Sequence, residues 1–191
     1  MERTVYSGMG ILSYTMSVSL DGYIADPAGN IGFSAPDEEV HRFANEQTRD
    51  TAVLLFGRGL YEVMEDFWTD PARADGGEVE AEFAREYVAT PRVVFSDSLQ
   101  SVAPGCRLVR RADAVGEVTR LKAETDGELA VGGAALAASL LDLIDEFGVR
   151  VVPVAVGGGT PFFPLGEDLR LRLVDQRTFG CGTVYLRYAR V

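Results

Sequence analysis

Residues 128–141 constrain this chain more than any other stretch. A short apolar segment, 129–131, meets Gly132-Gly133 and passes into a run rich in alanine and leucine. The segment reads as a strand and the run as a helix, joined by a turn that no side chain covers. A helix start leaves its first N–H groups without acceptors, at the positive end of the dipole. Opened by glycines, such a start can cradle an anionic group, most often a phosphate. A tight connection with no ligand is the plainer reading of the same residues.

A related unit lies upstream. Residues 51–56 form a continuous apolar run bounded by Gly57, which fits a strand buried on both faces. Gly57-Arg58-Gly59-Leu60-Tyr61-Glu62 then opens a helix. A cation at a helix start opposes the dipole, so Arg58 is better explained if it shares an anion with the helix end. A surface salt bridge is the alternative.

The remaining elements follow in order. Residues 11–19 read as a strand and 26–30 as a loop. Asp21, before Gly22, is either a turn residue bonding nearby backbone or a polar group at a strand end that holds a ligand. A helix capped by Ser34 or Asp37 runs to about Asp50, with Val40, Phe43, Ala44 and Gln47 near one face and Asp37, Glu38 and Glu39 at its positive end. His41, the sole histidine, sits beside that stripe as a surface or rim residue. Residues 65–79, with Trp68, Pro71 and Gly76-Gly77, read as a loop, and 79–88 as a short acidic helix. Residues 92–95 form a buried strand ending in Ser96-Asp97-Ser98, a position that lines ligand crevices in α/β sheets or is an ordinary polar turn. A strand at 106–110 and a helix at 112–124 precede the opening unit.

The helix after Gly133 is expected to run to residue 147 and stop at Gly148, with the next strand at 149–156. Gly157-Gly158-Gly159 and a stiff apolar loop at 160–164 come next. Segments 169–179 and 183–191 form an antiparallel hairpin through Gly180-Cys181-Gly182. The βαβα order with a terminal hairpin predicts an α/β fold, a mostly parallel mixed sheet with an antiparallel edge. The 191 residues, 47% hydrophobic, suit one domain over 10–191, with 1–9 as a loose tail.

Composition narrows the chemistry. A net charge of -11 argues against nucleic-acid binding through a basic face, but not against a small anionic ligand. Two cysteines without CxxC spacing and one histidine support neither a zinc site nor a disulfide, so no metal is expected. There is no GxSxG elbow. No apolar run reaches the length of a membrane span and the N-terminus lacks the layout of a secretory signal, so a cytoplasmic location is expected.

Four stretches, in order, carry a family resemblance: Ser19-Leu20-Asp21-Gly22-Tyr23-Ile24-Ala25; Leu55-Phe56 with Gly57 through Glu62; Val131-Gly132-Gly133 with its helix; and residues 153–163 around Gly157-Gly158-Gly159-Thr160. Together they resemble dihydrofolate reductase-like proteins related to the reductase domain of the riboflavin-biosynthesis protein RibD, over about residues 11–190. The resemblance implies a dihydrofolate reductase-like, three-layer α/β/α fold. It implies a homodimer and an NADPH-dependent reductase, NADH being the alternative, that passes a hydride to a small substrate: heterocyclic, pterin-like or ribosyl-pyrimidine-like.

The resemblance also places residues. It puts Gly57, Arg58, Gly59 and Leu60 at the cofactor phosphates and Ser96 and Asp97 at the adenosine ribose. Gly132, Gly133, Ala134, Ala135 and Leu136 fall on the pyrophosphate and nicotinamide side, with a cis peptide bond joining the glycine pair. Asp21 would lie near nicotinamide and substrate as the candidate for proton supply. Gly158 and Thr160 fall near the pocket mouth; apart from the resemblance, Tyr23 and Trp68 could wall the pocket, although aromatic residues are more often core.

Two departures and one possible match qualify the assignment. Val131 stands where riboflavin-pathway reductases typically carry a glutamate that helps hold the ribosyl substrate. Asp97 would repel a 2′-phosphate unless Arg58 or another cation compensates. Asp37, Glu38 or Glu39 could take the space of the carboxylate with which dihydrofolate reductases hold the pterin. A non-catalytic nucleotide-binding or sensing protein on the same fold is the alternative function.

Overall fold

Alternation along the first strand divides the molecule into its layers. In β1 (Ile11–Val18), Leu12, Tyr14 and Val18 are buried in the main apolar core, whereas Ser13, Thr15 and Ser17 point to the opposite face. The computed structural model describes residues 9–74, 77–163 and 168–191. Most of the tail expected at 1–9, together with Gly76 and Pro164, lies outside them.

The chain continues through β2 (Tyr23–Ala25), α1 (Glu38–Arg49), β3 (Thr51–Gly57), α2 (Arg58–Trp68), α3 (Pro71–Ala74) and α4 (Glu78–Ala89). It then forms β4 (Arg92–Phe95), β5 (Cys106–Val109), α5 (Ala114–Glu124), β6 (Glu128–Gly132) and α6 (Ala134–Ser139). Finally come β7 (Glu146–Val151), β8 (Thr160–Pro161), β9 (Leu171–Thr178) and β10 (Val184–Arg190). Eight strands make one sheet in the order β5-β4-β3-β6-β1-β7-β10-β9. It is parallel from β5 through β7, and antiparallel where β10 joins β7 and β9 joins β10. β2 and β8 pair separately beside it.

One face of the sheet packs on α5 and α6 through Leu55, Leu129, Phe147, Val118 and Leu136. The other packs on α2 and α4 through Phe56, Val94, Tyr61 and Tyr87. The result is the expected three-layer α/β/α architecture with a mostly parallel mixed sheet and a terminal hairpin.

Three local expectations change. Residues 65–79 are largely helical: α2 persists to Trp68, and α3 begins at Pro71 with the Ala72 N–H donating to Asp70 Oδ1 at 2.9 Å. An Asp before a Pro is an N-cap followed by a first-turn proline, so the signal was present. The helix after Gly133 stops at Ser139, and β7 starts at Glu146 rather than 149. Gly148 is a strand residue paired with Thr15 and Arg187, so it ends no helix. The Gly132–Gly133 peptide bond is trans, since no cis bond occurs among the described residues. The turn is made instead by Gly133 at φ +96, a conformation open to glycine.

Far from the strand ends, a charge cluster ties α5 to β5. Glu117 accepts from Arg120 at 2.7 Å and pairs with Arg107, with its side chain 14% exposed. The Arg120 hydrogen bond, then Arg107, holds its carboxyl down to about 2 against an ordinary 4.5. A depressed carboxylate stabilises the fold above its unfolded pKa, and that contribution is lost as pH falls through the folded value. Glu117→Gln is therefore expected to lower stability by roughly 1–3 kcal/mol at neutral pH. Thermal melts against pH should show the gap to wild type constant above 4.5 and closing toward 2.

Candidate functional site

The parallel strands β3, β4 and β6 end at Gly57, Phe95 and Gly132, side by side. A cleft of about 1230 Å³ runs from these ends across the sheet face beneath α1. At β3, the chain enters α2 through Gly57, which gives its helix no side-chain cap. At β6 it enters α6 through Gly133, again with no side-chain cap. Both helix starts line the same cleft with their first N–H groups unclaimed by a capping side chain. The close approach requires glycine, because a Cβ on Gly132 would lie 2.5 Å from Leu60 Cδ2 and 2.9 Å from the Phe56 ring.

Arg58 is exposed at the first of these starts, with Nη1 3.4 Å from Ser98 Oγ and Nε 3.7 Å from Glu62. Ser96 is buried, and its Oγ accepts from the Ser98 and Leu99 N–H groups, which folds the turn after β4. The Asp97 carboxylate is turned toward the Arg111 N–H at 3.0 Å. Arg110 Nη1 donates to the Asp97 carbonyl at 2.9 Å. The Arg58 and Arg110 guanidinium groups and the Arg111 backbone N–H therefore all reach the turn whose acidity the sequence raised as an objection to a phosphate.

Beneath α1 the cleft has a polar floor. Ser13, Thr15 and Ser17 of β1 lie beside Glu146, Gly148 and Arg150 of β7, and Arg187 and Tyr185 of β10 come next. Glu128 accepts from Ser13 Oγ at 2.5 Å, and Arg187 pairs with Glu146 at 3.2 Å. Phe43, Ala44 and Gln47 of α1 form the opposing wall. The floor was not singled out from the sequence. Its signal is a hydroxyl at every second position of β1, which a strand buried on both faces would fill with apolar residues. Gly148 leaves the room that the Thr15 side chain occupies.

The structure brings together Gly57, Arg58, Gly59, Leu60, Ser96, Asp97, Gly132, Gly133, Ala134, Ala135, Leu136 and Thr160 along this one cleft. It does not bring in Asp21, Tyr23, Trp68 or Gly158. Asp21 is exposed and accepts from the N–H groups of Val156 at 3.1 Å and Gly157 at 2.7 Å. The Ser19 hydroxyl, then these backbone donors, lowers its pKa from the ordinary carboxylate value. Tyr23 lies in β2, where its N–H donates to Ser19 Oγ, and Gly158 turns at φ +151 beside Pro27. Trp68 packs on Phe83 at 4.4 Å and edge-on to His41 at 5.7 Å, in the layer of α1 and α4.

His41 is half-buried between those rings rather than on a rim, and burial lowers its pKa. The first-turn acids of α1 are engaged elsewhere. Asp37 caps Val40 N, Glu38 pairs with Arg42, and Glu39 accepts from Gly180 N, so none of them faces the cleft. Among the described residues, no helix is long and apolar enough to cross a membrane.

Comparisons with known proteins agree with this architecture. The chain is 28% identical over 181 residues to the uncharacterized protein YyaP of Bacillus subtilis strain 168, covering 91% of each. A crystal structure of a putative riboflavin biosynthesis protein from Shewanella sp. PV-4 superposes with a TM-score of 0.70 at 23% identity, over 95% of this chain and 99% of that one. Dihydrofolate reductase from Enterococcus faecalis, complexed with NADP(H) and RAB-propyl, gives 0.66 at 16% identity, over 95% and 97%. At these identities the two structures speak for the fold, which is dihydrofolate reductase-like. The RibD C-terminal domain model matches residues 11–185, and the chain belongs to that family.

Proposed function

We propose that the protein is an NADPH-dependent reductase that transfers a hydride to a small substrate lying on the polar floor of the cleft. The observation that carries this reading is the pair of uncapped helix starts, at Gly57 and Gly133, opening on one cleft with Arg58 between them and the adenosine-side turn. One long ligand with separated phosphates fits that arrangement, and the fold relative from Enterococcus faecalis holds NADP(H). When bound, the nicotinamide supplies the hydride. The N–H groups at Ala134, Ala135 and Leu136 hold the pyrophosphate side. Arg58 beside Ser98, Arg110 on the Asp97 carbonyl and the Arg111 N–H on its carboxylate offset Asp97, which supports a 2′-phosphate and hence NADPH over NADH.

Asp21 acts at a distance in this scheme. Held ionised by its hydrogen bonds, it is a poor proton donor at neutral pH, and it ties the end of β1 to the Gly157 loop. A proton would have to be supplied by another group of the cleft, directly or through water. Val131 stands before the glycine pair and Asp37, Glu38 and Glu39 are turned from the cleft, which speaks against the riboflavin intermediate; Glu46 and Asp50 are the acids of the α1 end that line it.

Titration with NADPH, followed by nicotinamide fluorescence, tests the reading; absence of binding by NADPH and NADH alike would sink it. Arg58→Ala is expected to weaken NADPH by about 10- to 100-fold, the loss of a charge-assisted contact, and NADH by less. Equal losses for the two cofactors would move Arg58 away from the 2′-phosphate. The floor acids Glu128 and Glu146 are already bonded to Ser13 and Arg187, which favours a non-catalytic nucleotide-binding protein as the second reading. Binding without loss of nicotinamide absorbance across a panel of dihydrofolate, pterins and ribosyl-pyrimidines would select it.

A further inference from the structure

The cleft floor carries a charge imbalance that the cofactor half does not use. Of its two arginines, Arg187 is matched by Glu146 at 3.2 Å and Asp175 at 4.0 Å. Arg150 has no carboxylate within 4.0 Å among the described residues. Its Nε donates to Ser17 Oγ at 3.3 Å and its Nη1 to Gln47 Oε1 at 3.0 Å. Gln47 is itself oriented, because its Nε2 donates to Tyr185 Oη at 2.8 Å. Among the described residues nothing accepts from Nη2, which is not among the buried unpartnered atoms, and Arg150 lines the cleft.

Neutral acceptors thus aim the guanidinium without neutralising it. A cation drawn out of bulk water and left unmatched is costly, and burial lowers the Arg150 pKa accordingly. A planar donor edge held in one orientation is the geometry that recognises carboxylates and phosphates.

We propose that Arg150 anchors an anionic group, a carboxylate or a phosphate, on the small molecule that occupies the floor, with Ser17 and Gln47 as positioning residues for its guanidinium. This rests on the reading of the cleft as a reductase site and names the substrate class for it. The acids Glu128, Glu146 and Asp175 on the same floor disfavour a polyanion, so a ring or sugar bearing one anionic group fits best. Phe43 and Ala44 of α1 would cover its uncharged part.

The test titrates the intact protein, with and without NADPH, with inorganic phosphate and separately with benzoate. Benzamide and chloride serve as neutral and ionic-strength controls, and the thermal midpoint and the Arg150 Nε–Hε resonance are followed. A saturable response to phosphate or to benzoate is expected, the tighter of the two naming the group. Arg150→Gln should weaken it by about 10- to 100-fold and Arg150→Lys by less, with NADPH affinity unchanged. If both variants fail to fold, a wild-type crystal soaked in the tighter anion decides the matter, with the anion expected at hydrogen-bond distance from Arg150 Nη2. An equal response to benzoate and benzamide, unchanged anion affinity in Arg150→Gln, or an anion seated elsewhere would each overturn the proposal. If NADPH fails to bind while the Arg150-dependent response persists, the cofactor reading falls and the anchor stands. If NADPH binds and no response depends on Arg150, the anchor alone falls.

Discussion

Replacing Arg92 by alanine is expected to lower the unfolding free energy by about 3–5 kcal/mol, the cost of leaving a buried charge without its partner. Arg92 is 2% exposed at the start of β4. Its guanidinium donates to the carbonyls of Tyr87, Val88 and Thr90 at the end of α4, and to Cys106 Sγ at 3.1 Å. It stands 3.5 Å from Glu65 Oε2, which also accepts from Tyr87 Oη at 2.9 Å. One side chain therefore matches an acid on α2 and satisfies the orphan carbonyls of α4. Truncation removes both at once. Urea denaturation measures the effect; a loss below about 1 kcal/mol would put this pair with ordinary solvent-screened surface pairs.

The largest effect on the site is expected from Gly132→Val. A Cβ there meets Leu60 Cδ2 at 2.5 Å and the Phe56 ring at 2.9 Å. Leu60 can rotate, but Phe56 is 4% exposed within a cluster with Tyr61 and Tyr87 and cannot. The strain falls on the first turn of α2, which also carries Arg58. Overpacking of this kind costs about 1–3 kcal/mol, so the melting temperature should fall by roughly 2–12 °C. NADPH affinity should fall by at least about tenfold as the helix start is displaced. Gly57→Ala is the control: its Cβ would sit 3.8 Å from Leu136 Cβ, an ordinary contact, and should cost less than about 1 kcal/mol. Similar falls in melting temperature from both substitutions would mean that the close approach at Gly132 is not what holds the two helix starts together.

Both experiments probe features that the sequence displays unequally. The apolar runs of β3 and β4 are legible because a strand buried on both faces tolerates little but apolar residues. The terminal hairpin is legible from its glycine-bounded turn and alternating strand. The two glycine helix starts are equally local, since a strand, a turn and a helix lie within a dozen residues of one another. Their meeting along one cleft is not local, because it follows from β3 and β6 being neighbours in the sheet.

Where the reading missed, the deciding contacts were distant. The alanine-rich segment after Gly133 has the propensity to stay helical through residue 147, yet it ends at Ser139. Pairing of residues 146–151 with β1 on one side and β10 on the other outweighs that propensity. By spacing Asp21 reads equally as a turn residue, and only the resemblance puts it at the site; the Val156 and Gly157 N–H groups that hold it lie more than a hundred residues away.

By itself, then, the sequence of this protein determined its class, most of its elements, and two glycine-opened helix starts, because each rests on residues adjacent in the chain. The tertiary structure alone decided what stands opposite them. Ser17, Gln47, Arg150 and Tyr185 come from four elements and meet only when β1, β7 and β10 align beneath α1. No spacing along the chain encodes that contact, since it depends on strand order and register. That is why the two glycine helix starts could be read from residues in a row and the polar floor could not.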